Sequence, residues 1–80
     1  MKCRITSITE LDAITPKASH LYRVGRIGDL LNMSVGYPMW LAYSDGHGTL
    51  ITSAIDEIGG GPDKFTVKTQ SAIYVLNKVE

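Results

Sequence analysis

From residue 39 to residue 78 the chain is an almost unbroken series of short apolar and polar runs separated by strong turn signals, and this spacing admits little except a small antiparallel sheet. Residues 39–43 form a strand with Met39, Leu41 and Tyr43 on one face and Trp40, the only tryptophan, with Ala42 on the other. Ser44-Asp45-Gly46-His47-Gly48 then supplies two glycines for the positive φ that a hairpin needs. Residues 49–58 are the returning strand. Its apolar residues Leu50, Ile51, Ala54, Ile55 and Ile58 keep no single parity, which predicts a bulge near residues 52–54 or burial on both faces. After an exposed glycine loop at 59–63, Lys64–Thr69 alternates with Phe65 and Val67 inward. Gln70-Ser71 leads to a last strand, 72–77, where Ile73 and Val75 face one way and Tyr74 and Leu76 the other. Both faces are apolar, so self-association is expected, most simply as a homodimer.

The first half is less regular. Residues 2–7 alternate Cys3 and Ile5 with Arg4 and Thr6, as in a half-buried strand. Ser7-Ile8-Thr9-Glu10 has the pattern of a capping box, and with Ile8, Leu11 and Ile14 spaced three apart it predicts one or two helical turns that Pro16 ends. Residues 21–27 resume alternation as a strand that bends at Gly25 and Gly28. Residues 29–33 read as loop, and Val35-Gly36-Tyr37-Pro38 as a turn. The expected fold is one all-β domain over residues 1–80 with a short helix, its five or six strands forming a small antiparallel SH3-like barrel or meander.

A chain of 80 residues buries only roughly 60% of its unfolded surface, and the single cysteine, Cys3, cannot form an internal disulfide. Eight basic residues balance eight acidic ones, so no overall field draws the chain to nucleic acid or to an anionic membrane. Its first residues lack the apolar stretch of a signal peptide, and the longest apolar runs, 39–43 and 72–76, are far too short to span a membrane as helices. A reduced, cytoplasmic setting is expected.

Ser44, Asp45 and His47 share one flexible turn, which argues against a hydrolytic triad, and few other groups are placed to complete a metal site. The His47→Ala change is therefore expected to leave folding and biological effect nearly intact. Gly59–Gly61 precedes Pro62-Asp63 and a strand rather than a lysine-bearing helix, so it reads as a spacer and not as a phosphate loop. Cys3 reads as a buried small hydrophobe. Arg23, Arg26, Lys64 and Lys68 read as a solvated face. No cofactor or metal is expected. The aromatic residues are the strongest candidates for binding: Tyr37, Trp40, Tyr43 and Tyr74, with Tyr22 beside them. Trp40 is assigned more to the core than to the surface, whereas Tyr37, next to Pro38, is expected to be exposed at the centre of the site.

Val35-Gly36-Tyr37-Pro38-Met39-Trp40, then Tyr43-Ser44-Asp45-Gly46, then Ile55 and Ile58, resembles the opening of Tudor-like and other SH3-like barrels. That likeness implies a reader of peptides, although Leu50 and Val67-Lys68-Thr69 stand where Tudor domains carry aromatics. Thr52-Ser53, Ile55, Val67-x-Thr69 and Ser71-x-x-Tyr74-x-Leu76 also resemble, in order, short all-β products of bacteriophages and mobile elements. This second likeness implies an accessory protein that acts by binding and inhibits a host defence factor, either by occupying a protein surface or by sequestering a nucleotide as a sponge. A non-catalytic role with a protein partner is expected, with a small enzyme as the remaining alternative.

Overall fold

The computed structural model describes residues 1–79. Six strands, β1 (Lys2–Thr9), β2 (Ile27–Asn32), β3 (Pro38–Tyr43), β4 (Thr49–Gly60), β5 (Lys64–Thr69) and β6 (Ile73–Lys78), pair in chain order, and β6 returns to β1 to close a barrel. Every pairing is antiparallel. The expected small all-β barrel is thus present as a six-strand meander. Closure gives every strand of the described residues a partner on both sides. Among the described residues no helix is long and apolar enough to cross a membrane.

Bulges on β1 and β4 set which of their side chains point inward. On β1 the register slips between Ile5 and Ser7, so the inward set changes from Cys3 and Ile5 to Ile8, and all three are buried. On β4 the pairing with β3 gains a residue between Ile51 and Ala54, and the pairing with β5 gains another between Ile55 and Glu57. The mixed parity of β4 has this origin. Leu50, Thr52 and Ile55 are buried and Ile58 packs against the core, although they follow no single alternation. Thr52 holds the first bulge: its hydroxyl accepts the Met39 N–H at 2.9 Å and donates to the Ser53 carbonyl at 2.7 Å. Thr69 does the same for the β5–β6 turn, donating to the Ala72 carbonyl at 3.0 Å and accepting its N–H at 3.2 Å. Met39, Leu41, Val67, Tyr74 and Leu76 complete the barrel interior.

Several expectations are corrected. The helical turns after the first strand do not form, because β1 continues to Thr9 in register with Ile73 and puts Ile8 in the core. Ile14 is then left exposed, and Asp12 accepts the Thr15 hydroxyl and the amides of Ile14 and Thr15 in a tight turn, the hydroxyl first among the contacts that hold its carboxyl below the usual range. The short helix is instead a 3-10 helix at Ala18–Arg23, which takes up the first residues of the stretch 21–27 expected to be a strand. Residues 29–32 belong to β2 rather than to a loop, and Gly59 and Gly60 extend β4 opposite Thr66 and Phe65. Gly28 admits β2 to close contact with β3, since a Cβ there would lie 2.5 Å from the Ala42 carbonyl oxygen.

Candidate functional site

The outer face of β2, β3 and β4 carries an uncovered apolar cluster. Alternation on β3 sends Met39 and Leu41 inward and therefore Trp40 outward, where it is 43% exposed. The expectation of a core tryptophan fails for this reason: its two neighbours already fill the barrel. Trp40 pairs directly with Ile51 on β4 and with Asn32 on β2. The bulge between Leu30 and Asn32 inserts Leu31 beside it, and Ile51 and Leu31 are 52% and 62% exposed. Tyr37 and Val35, also exposed, lie in the turn that enters β3, as expected for Tyr37.

A second feature lies where the 3-10 helix meets the β3–β4 hairpin. An open cleft of about 350 Å³ is lined by Tyr22, Arg23, Arg26, Tyr43, His47 and Thr49, with Leu50 and Ile51 on one wall. The helix ends at Arg23, and Gly25, at φ 90°, turns the chain so that Arg26 follows Arg23 into the same cleft. Arg23 donates through Nη1 to the Tyr74 hydroxyl at 2.8 Å and through Nε to the Tyr22 hydroxyl at 3.2 Å. Arg26 lies over the Tyr43 ring, 3.7 Å from its centroid, and contacts Asp45 through Nη2 at 3.1 Å.

Electrostatics follow from these contacts. Burial raises the pKa of Tyr74 and of Tyr43, against the opposing pull of the nearby arginines. Burial works against the charge of Arg23, but its hydrogen bonds to Tyr22 and Tyr74 outweigh that effect and leave it a stronger base than usual. The His47 amide, which donates to Asp45 at 2.8 Å, lowers the carboxyl pKa first, with Arg26 adding to it.

The expected site residues therefore separate. Tyr37 and Trp40 belong to the outer face, Tyr43 to the cleft, and Tyr74 is a core residue whose hydroxyl alone reaches the Arg23 guanidinium. The Asp45 carboxylate engages the His47 backbone amide and Arg26 rather than the Ser44 or His47 side chain. Lys64 and Lys68 lie on β5 and do not join the two arginines. Cys3 is fully buried, and burial raises its thiol pKa. No group of three or more metal-ligating side chains occurs among the described residues. Leu31 and Ile51 were not among the sequence candidates, and Arg23 and Arg26, read there as part of a solvated face, are brought to one cleft. For the arginines the available signal was Gly25 between them, which marks a bend that can bring both to one place.

Comparison of the chain with protein-family models, curated proteins and solved structures finds no match.

Proposed function

We propose that this protein is a non-catalytic binding module that docks on a protein partner through the Leu31–Trp40–Ile51 face, and that it serves as a phage or mobile-element accessory protein inhibiting a host defence factor by occupying its surface. The observation that carries the reading is an outward Trp40 flanked on both neighbouring strands by exposed aliphatic side chains. Tryptophan is among the residues most enriched at interface anchors, and Tyr37 in the turn that enters β3 adds a second amphipathic side chain. The accessory role is supported by the sequence likeness described above. A peptide reader of Tudor type is less well supported, because Trp40 and Tyr43 point to opposite faces of β3 and cannot share one cage.

The test is affinity capture from host cells followed by calorimetry with the purified partner. Trp40→Ala is expected to weaken binding by about 2 kcal/mol or more while leaving the melting temperature nearly unchanged. Equal affinity of the two proteins would overturn the reading.

Self-association is the second reading, and the same exposed face supports it. Tyr74 and Leu76, one of the two apolar faces of the last strand from which self-association was expected, are covered by the barrel itself. A homodimer would therefore use Trp40. Light scattering decides: a dimer that Trp40→Ser converts to monomer places a second copy on the face, and a monomer leaves it to the partner.

A further inference from the structure

We infer that the cleft between the 3-10 helix and the β3–β4 hairpin binds a nucleoside phosphate, the phosphate on Arg23 and Arg26 and the flat ring on Tyr22. The site goes beyond the protein-docking reading and does not depend on it.

Three observations carry the assignment. Both guanidinium groups are held in place before any ligand arrives: Arg23 by the hydroxyl of Tyr74, whose ring is locked in the barrel core, and Arg26 by stacking on the half-buried Tyr43. Pre-set donors of this kind bind anions without first paying to order long side chains. Neither arginine is neutralised along its full donor edge. Arg23 bonds only to tyrosine hydroxyls and has no carboxylate partner among the described residues, while both Asp45 oxygens contact the single Nη2 of Arg26. Two cations against one carboxylate make the cleft positive in a chain of net charge zero.

The third observation selects the rest of the ligand. Tyr22 is 68% exposed at the wall of the cleft, with the Arg23 guanidinium 5.4 Å from its ring centroid, and presents a ring on which a base can stack. A cleft of about 350 Å³ has the size of a small-molecule site and accommodates a mononucleotide. His47 and Thr49 add hydrogen-bonding groups for sugar or base at the rim. An acidic peptide would use the arginines but would leave the Tyr22 ring idle.

Calorimetry of the full chain tests this with inorganic phosphate, an equimolar mixture of the four nucleoside monophosphates, the corresponding nucleosides, and a glutamate-rich peptide. The monophosphates are expected to bind about tenfold or more tightly than phosphate, an advantage that Tyr22→Ala abolishes and that Tyr22→Phe, which keeps the ring but loses the hydroxyl bonded to Arg23, retains. Arg23→Met and Arg26→Met should each weaken the monophosphates about tenfold or more, with circular dichroism reporting that each variant is folded. Trp40→Ala should change nothing here, which separates this site from the docking face. Equal binding of phosphate and monophosphates, tighter binding of the acidic peptide, or no heat from any monophosphate at about 5 mM would each overturn the assignment.

Discussion

Trp40 and Ile51 stand directly opposite each other across β3 and β4, and both point away from a core that Met39, Leu41 and Leu50 already fill. Cross-strand pairs of this type stabilise a sheet by less than about 1 kcal/mol. Trp40→Ser should therefore lower the melting temperature only slightly, whereas Leu41→Ala, one position along the same strand but inside the barrel, should cost about 2–5 kcal/mol. Thermal melts of the two variants check the assignment of faces.

Gly28→Ala should destabilise the barrel although it adds only one methyl group. The new Cβ would meet the Ala42 carbonyl oxygen and carbon at 2.5 and 2.9 Å, so β2 and β3 must separate. The expected loss is about 1–3 kcal/mol in urea unfolding. An unchanged midpoint would show that the β2–β3 contact is looser than described.

Thr9→Val should raise stability. The Thr9 hydroxyl is buried without a hydrogen-bond partner near the end of β1, so it bears a desolvation cost that an isosteric methyl removes. The gain should be about 1 kcal/mol, read as a higher urea midpoint with the same slope.

Stability should fall in alkali. Burial raises the Cys3 pKa above its ordinary 9.0 and the Tyr74 pKa above its ordinary 10.0, so the unfolded chain loses these protons at lower pH than the folded one. Their contribution is complete below the unfolded-state values and is lost as pH rises through the folded-state values. The melting temperature should decline first above about pH 9 and more steeply above about pH 10, and Tyr74→Phe should flatten the second part of the decline. At neutral pH Tyr74→Phe should cost about 1 kcal/mol for the lost Arg23 hydrogen bond.

The second half of the fold was legible because β3 and β5 alternate cleanly and the turns on either side of β4 carry glycine, and even the parity break on β4 announced a bulge that Thr52 and Ser53 contain. The first half was not. Ile8, Leu11 and Ile14 have helical spacing, but pairing of β1 with β6 along its whole length outweighs a local preference that amounts to a few tenths of a kcal/mol per residue. Leu30 and Leu31 gave no period because Leu31 is the extra residue of a bulge. Site legibility followed the same division. The exposure of Tyr37 could be read from its turn, whereas the orientation of Trp40 depends on Met39 and Leu41 occupying the interior. The cleft joins Tyr74 to Arg23 across 51 positions of sequence, a distance over which no local pattern operates.

The docking role proposed for Trp40 is tested most directly by isothermal titration of any partner captured from host cells against the wild-type protein, Trp40→Ala and Tyr22→Ala. Loss of about thirtyfold or more in affinity for Trp40→Ala, with Tyr22→Ala binding as wild type and all three proteins melting alike, is the predicted result. Undiminished binding by Trp40→Ala would contradict it and move the functional surface away from the outer face of β2, β3 and β4.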